Sequence, residues 1–198
     1  MLSNHISSNR HFKNHKFFRA FVTSIFTFFS FLLLFSCDEK DKNLPDISRV
    51  PEVEIEVIRM EKELIAPKDK QTIALFLNNH PGIAEKYFRR RTFPSDSILI
   101  NNIYSFATDS HTDTLLTDTK RIYGDFETIS QELEQAFRFL RYYYPNFIPP
   151  KVYTNISGFG AFGFGQDIFL TEEFIVIGLD YFAGTTATYL PPETPGYI

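Results

Sequence analysis

The only cysteine in this 198-residue chain, Cys37, directly follows a long apolar run, and this arrangement decides how much of the chain is left to fold. Residues 20–35 carry no charged side chain and are rich in Phe and Leu, while residues 10–19 supply four Lys and Arg side chains. At about 16 residues, the run is shorter than the roughly 20 residues that a transmembrane helix needs. A basic segment, an apolar segment, a small residue and a cysteine, in that order, are typical of a bacterial lipoprotein signal.

The residues next to Cys37 predict where the signal is cleaved and where lipid is attached. Leu34 supplies an aliphatic side chain three positions before the cysteine, Ser36 supplies a small one directly before it, and Phe35 is bulkier than usual. We therefore predict cleavage after Ser36 and acylation of Cys37 with palmitate-like chains, which makes Cys37 the mature N-terminus. Two or more acyl chains hold a protein firmly on a bilayer. The alternative is an uncleaved signal anchor in which Cys37 is unmodified.

The predicted domain organisation has three parts: a signal peptide at residues 1–36, an acidic flexible tether at 37–51, and one domain at 52–198. The tether is charged at 38–42 and contains two prolines, so it has little to bury. Cleavage after position 36 leaves 162 residues, which is enough for one domain. A single cysteine excludes an intramolecular disulfide, so the domain must be held together by its core.

The charge of the mature chain excludes nucleic acid as a partner. Without the four cations of residues 1–36, 16 Lys and Arg remain against 24 Asp and Glu, a net charge of −8. An acidic protein is repelled by nucleic acid and by anionic membrane surfaces. We therefore expect the membrane to be reached through the N-terminal lipid and not through a basic face of the domain.

Hydrophobic periodicity predicts a strand at the start of the domain and helices after it. Val53, Ile55 and Val57 alternate with three glutamates, the pattern of a strand with one wet face. Asp69 is placed to cap the helix that follows. The polar residues at 108–113 indicate a loop between later helices.

The strongest helical pattern lies at residues 128–144. Leu133, Phe137, Leu140 and Tyr144 recur at helical spacing and form one apolar stripe. Three strands are predicted after this helix, at residues 151–156, 167–170 and 174–179.

The order of these elements predicts the fold class. A strand, a helical middle segment and then three strands indicate an α+β domain with an antiparallel or mixed sheet of about four strands. The predicted core residues are Leu133, Phe137, Leu140, Val152, Ile156, Ile175 and Ile177.

One motif resembles a dinucleotide-binding fingerprint. Residues 158–163 read Gly-Phe-Gly-Ala-Phe-Gly after a predicted strand, and Asp180 lies about 20 residues further on. A dinucleotide site needs the glycines to open a helix whose N-terminus receives the pyrophosphate, and here further strand follows. We therefore predict a glycine-rich turn between two strands and no cofactor.

No set of residues predicts catalysis or a metal site. His80 precedes a proline at a helix end, and no second histidine stands at metal-ligand spacing. The segment 109–113 is interpreted as a polar loop with capping acids, and the basic cluster at 89–91 as a solvated helix end. Ser157 is not part of a nucleophile elbow. The residues therefore predict that the protein is not an enzyme.

Several segments in the second half of the chain resemble the gliding motility lipoprotein GldB family of Bacteroidota. The first is the aromatic block at 139–145, followed by the strand and turn at 152–158. The segment 177–184 resembles that family's strand ending in an Asp, an aromatic residue and a Gly. The proline-rich stretch 189–198 is similar to the part that follows, and the segment 57–62 to the first strand.

The resemblance implies an exported lipoprotein of the cell envelope, needed for surface gliding by a machinery that overlaps a protein secretion system. It implies a non-catalytic component with envelope protein partners, anchored in either the inner or the outer membrane. Family members continue beyond the position of Ile198 into a mainly helical part, so we expect this chain to be truncated and its domain incomplete.

Two other functions remain open from the sequence. The family is distantly similar to zinc metallopeptidase-like proteins, whose metal motif would follow the strand at 174–179 and is not seen there. One alternative is therefore a degenerate or active enzyme of that kind. The other is a generic envelope lipoprotein that binds a small ligand in an aromatic cleft.

Overall fold

One four-stranded mixed sheet organises the domain. The computed structural model describes residues 45–191 apart from 162 and 164, so the predicted signal peptide and Cys37 lie outside the described residues. The sheet order is β1-β2-β4-β3, in which β1, β2 and β4 run parallel and β3 runs antiparallel to β4. The strands are β1 (Val57–Arg59), β2 (Lys151–Asn155), β3 (Ile168–Leu170) and β4 (Phe174–Gly178).

The helices lie between β1 and β2 in the chain, as the sequence predicts, and the α+β class with a mixed sheet is confirmed. Within the described residues, no helix combines the length and the hydropathy that crossing a membrane requires. The chain divides after Pro45 into two units, and the sheet and helices belong to the second. The helices are α1 (Lys70–Asn79), α2 (Asp96–Ala107), α3 (Ser110–Tyr123) and α4 (Glu127–Tyr143), with short helical turns at Glu61–Ile65, Ile83–Tyr87, Arg90–Thr92 and Leu179–Phe182.

Aspartate caps begin two of the helices, and one of them corrects the prediction. Asp69 accepts a hydrogen bond from the backbone N of Thr72 at 2.7 Å, as expected for the cap of α1. Asp109 accepts one from the backbone N of His111 at 2.8 Å, so α3 begins inside the predicted polar loop 108–113. The loop prediction was wrong because residues 110–113 form the first turn of a helix, but the prediction that this segment holds a capping acid is confirmed by Asp109.

The first strand is shorter than predicted. Only Val57–Arg59 pairs with β2, whereas Val53 and Ile55 precede the strand. The backbone N of Ile55 donates to Glu134 Oε1 of α4 at 3.3 Å, and Val53 is buried against Phe137 of the same helix. The alternating pattern correctly predicts that Val53 is buried. The segment is covered by helix α4, however, and does not pair with another strand at that position.

The parallel strands of the sheet are covered on both faces, as is usual for such strands, whereas Ile168 and Leu170 of the antiparallel strand β3 are exposed. Ile58, Tyr153 and Val176 stand opposite one another in register and belong to the main core with α1 and α2. On the other face, Val152 packs with Phe137 of α4. Packing on both faces therefore leaves β2 buried except for Lys151, and β4 buried or half-buried throughout.

The apolar stripe of α4 is only partly buried, which corrects the predicted core. Phe137 is 6% exposed and Leu133 is half-buried, but Leu140 is 40% exposed and Tyr144 is exposed. Of the other predicted core residues, Val152 and Ile156 are buried, and Ile175 and Ile177 are half-buried.

Replacing a side chain by alanine should therefore cost more stability in the buried half of the stripe than in the exposed half. Phe137→Ala should lower the free energy of unfolding by about 3–5 kcal/mol because it removes a buried ring that contacts Val152. Leu140→Ala on the same helix should lower it by about 1 kcal/mol or less, because that side chain already meets water. Urea unfolding followed by far-UV circular dichroism compares the two, and equal losses would contradict this packing.

Candidate functional site

The carboxyl ends of the parallel strands are where open α/β sheets usually bind ligands. Asn155 ends β2 and stands opposite Gly178, which ends β4. Two residues further along each chain segment come Ser157 and Asp180, both buried. The parallel register therefore gathers three polar side chains, those of Asn155, Ser157 and Asp180, at one edge of the sheet.

Asp180 is the central side chain of this edge. It is 2% exposed, and its Oδ2 accepts hydrogen bonds from the backbone N of Ser157 at 3.0 Å and of Phe159 at 2.9 Å. The Ser157 hydroxyl donates to the same oxygen at 3.3 Å and accepts from the backbone N of Gly160 at 3.2 Å. Backbone N–H groups that point at a buried carboxylate stabilise its charge. Asp180 therefore fastens the start of the glycine-rich segment to the end of β4.

The glycine-rich segment is a turn, as predicted. Gly158, Phe159 and Gly160 have φ values of 61°, 56° and 80°, so three successive residues adopt left-handed backbone. The Phe159 ring meets the Tyr181 ring edge to face at 5.5 Å. The next element after this turn, among the described residues, is strand β3, so no helix N-terminus receives an anion here.

One buried tyrosine, Tyr87, and one half-buried tyrosine, Tyr123, border the site and act as neutral hydrogen-bonding groups. Asn155 Nδ2 donates to the Tyr87 hydroxyl at 3.0 Å. Burial raises the pKa of Tyr87 to about 12, and the nearby Asp180 charge acts in the same direction. Burial likewise raises the pKa of Tyr123 to about 12, and its hydroxyl donates to the Leu179 carbonyl at 2.8 Å. Both phenols are therefore protonated at neutral pH and are poor bases.

Two oxygens of the site have no hydrogen-bond partner within the described residues. They are Asn155 Oδ1 and Asp180 Oδ1, and both are buried. An amide oxygen and a carboxylate oxygen both accept hydrogen bonds, so the site suits a group that donates them. No three His, Cys, Asp or Glu side chains of the described part come together in a way that could hold a metal ion.

A second buried polar cluster lies at the end of β1, on the opposite face of β2 from Asn155. Arg59 forms an ion pair with Glu61, and Glu61 Oε2 accepts a hydrogen bond from Thr154 Oγ1 at 2.7 Å. The Arg59 guanidinium lies 5.0 Å from the centre of the Phe126 ring. Sequence reasoning missed this cluster, although two opposite charges directly after a strand were a visible signal.

The family of the chain follows from its match to a family model described as "Gliding motility protein GldB", which covers residues 40–198. The chain belongs to the GldB family. The family membership predicted from the sequence is thereby confirmed, and the Asp180 site lies inside the matched region. No curated protein and no solved structure matched this GldB family member.

The residues that the sequence singled out in this GldB family member are dispersed. Leu34, Ser36 and Cys37 lie outside the described residues. His80 lies at the end of α1, where its Nδ1 is 3.1 Å from the Tyr153 hydroxyl, and burial lowers its pKa. His111 contacts Asp109 at 2.9 Å in an exposed helix cap.

The basic cluster at 89–91 is engaged in surface ion pairs. Arg90 pairs with Asp96, and Arg91 Nε lies 3.1 Å from Glu85 Oε2. The structure therefore brings Ser157 and Asp180 together and leaves the histidines and this cluster elsewhere. Asn155 and Tyr87 are members of the site that sequence reasoning missed, because neither stands in a recognisable motif.

Proposed function

We propose that this protein is a lipid-anchored component of the cell envelope that serves gliding motility in a non-catalytic role within a motility- or secretion-associated assembly. The observation that carries the proposal is the family match, which begins at residue 40, three residues after Cys37. A predicted acylation site directly before a family domain is the arrangement expected of a lipoprotein whose domain stands outside the cytoplasm.

The use of the buried polar side chains supports a structural role. Asp180 Oδ2 accepts three hydrogen bonds from Ser157 and Phe159, and Glu61 binds both Arg59 and Thr154. A nucleophile needs a neighbouring base that takes its proton. The Asp180 oxygen that the Ser157 hydroxyl faces, Oδ2, already accepts from two backbone N–H groups. These side chains hold the carboxyl edge of the sheet together, which suits a protein whose work is done by its surface.

The anchor is tested by substituting the cysteine. Cys37→Ser should abolish incorporation of labelled palmitate and leave either a released domain or a longer precursor, because the acylated sulfur is gone. Ser36→Ala is the matched control, since it keeps a small residue before the cysteine and should keep the label. Unchanged labelling of Cys37→Ser would refute the anchor.

The motility role and the non-catalytic role are tested separately. A deletion strain should lose spreading on agar and regain it with the wild-type gene but not with Cys37→Ser. Normal spreading of the deletion strain, in a genome without a second copy of the gene, would count against the motility role. Stoichiometric zinc in the purified protein would overturn the non-catalytic role.

A further inference from the structure

The end of helix α4 exposes an unusual concentration of apolar and aromatic side chains. Ile148 is 82% exposed, Tyr144 67% and Tyr143 61%. Leu140 and Tyr142 are also exposed, and Tyr142 and Tyr143 meet edge to face at 5.0 Å. We name these five residues the aromatic end. Of the eleven large apolar or aromatic side chains that the described residues expose, five therefore fall within residues 140–148. Such a concentration of exposed apolar groups indicates a surface that contacts a membrane or a partner.

The first part of the described chain, residues 47–52, lies against the last turns of α4. Arg138 Nη2 donates to the carbonyl of Ile47 at 3.0 Å and to the carbonyl of Val50 at 2.9 Å. Arg141 Nη1 donates to the carbonyl of Glu52 at 3.3 Å. Two arginines in the last two turns of α4 therefore hold the segment 47–52 beside the aromatic end.

The length of chain between the predicted anchor and this contact is short. Ile47 follows Cys37 by ten residues. Ten residues span at most about 35 Å when fully extended. An anchor at Cys37 would thus keep the aromatic end within reach of the bilayer at a high local concentration, so docking would need little affinity of its own.

We propose that the aromatic end docks on the lipid surface, with its tyrosines at the level of the headgroups. This inference rests on the proposed lipid anchor. Tyrosine suits the membrane interface because its ring is apolar and its hydroxyl stays hydrated, and Ile148 supplies an aliphatic group for the acyl boundary.

The charge around the aromatic end selects the kind of lipid surface. Glu52 and Glu54 are exposed on the adjoining segment, and their two negative charges balance the two positive charges of Arg138 and Arg141 on α4. The surface therefore fits zwitterionic headgroups, and its contact depends on inserted rings and not on attraction to anionic lipids. Docking should accordingly be insensitive to salt.

A fluorescent label tests the docking directly. The full-length lipidated protein carrying Ile148→Cys is labelled with an environment-sensitive dye; if Cys37 is acylated, its sulfur is blocked and only the introduced thiol reacts. The protein is reconstituted in phosphatidylethanolamine-rich vesicles that contain a headgroup nitroxide lipid. Leu75→Cys on α1, 60% exposed, is the matched control. We expect the dye at 148 to be quenched several-fold more than the dye at 75, at low and at high salt.

The outcomes separate this proposal from the anchor. Equal quenching at the two positions on vesicles that float with the protein would overturn docking and leave the anchor standing. Failure of the protein to float would overturn both. A dye at 148 that is shielded from aqueous iodide but not quenched by the lipid nitroxide would mean that a protein covers the aromatic end, which also overturns docking.

A second variant tests whether the tyrosines themselves hold the surface on the bilayer. Tyr143→Ser combined with Tyr144→Ser changes exposed side chains only, so the fold should persist by circular dichroism. Quenching at 148 should fall toward the control level in this variant. Undiminished quenching would show that the tyrosines do not hold the surface on the bilayer.

Discussion

Gly165→Ala should lower the free energy of unfolding by about 3–5 kcal/mol, combining the cost of a steric clash with that of a strained backbone. A Cβ at this position would stand 2.2 Å from the Cβ of Ser157 and 2.3 Å from its hydroxyl oxygen. Ser157 is buried and hydrogen-bonded to Asp180, so it has no room to withdraw. The φ of Gly165 is +127°, a conformation that side chains rarely adopt.

Gly163→Ala in the same segment is the matched control for this clash. Its φ is +78°, and a Cβ there would meet no atom of the described residues within 4 Å. The substitution should cost only the backbone strain of about 1–2 kcal/mol. Urea unfolding followed by circular dichroism measures both variants, and equal losses would mean that Gly165 does not lie against Ser157.

Asp180→Ala should lower the free energy of unfolding by about 3–5 kcal/mol, because a buried acceptor of three hydrogen bonds disappears. The backbone N–H groups of Ser157 and Phe159 would lose their acceptor in the protein interior. Each such orphaned donor costs roughly 1–3 kcal/mol. Asp180→Asn keeps one accepting oxygen and should cost less than alanine.

Asp167→Ala serves as the control for Asp180→Ala. Asp167 is exposed, and within the described residues its carboxylate accepts only the backbone N of its neighbour Ile168, at 2.8 Å. Its carbonyl accepts from the backbone N of Gly178, a contact that alanine keeps. Loss of the carboxylate should change stability by about 0.5 kcal/mol or less. The same unfolding assay applies, and an Asp180→Ala variant as stable as the control would refute the fastening role of Asp180.

Local pattern predicted much of the secondary structure. Asp69 caps α1 because a short carboxylate before a helix reaches the free N–H groups of its first turn. Residues 128–144 were predicted as a helix, and α4 occupies nearly the same span because its apolar side chains recur every three or four positions. The strands β2 and β4 were likewise predicted to within a residue or two.

Contacts between distant segments were not predictable in the same way. Glu61 is buried because it meets Thr154, 93 residues away, once β1 pairs with β2. Nothing in the sequence distinguishes the carboxylate of Asp180, as a hydrogen-bond acceptor, from those of the other aspartates. The register of β2 and β4 places Ser157 beside it. The sequence shows each residue type but not its partner, and a buried charge is stable only with a partner.

By itself, the sequence determined most of the helical and extended segments and the motifs that carry the family resemblance, because these depend on neighbours along the chain. Lipid attachment at Cys37 is a prediction of the same local kind. Only the tertiary structure decided which polar groups meet at the carboxyl edge of the sheet. It also decided that α4 buries Phe137 but leaves Leu140 and Tyr144 in contact with water. Burial depends on what packs across from a side chain, and that is set by the whole fold.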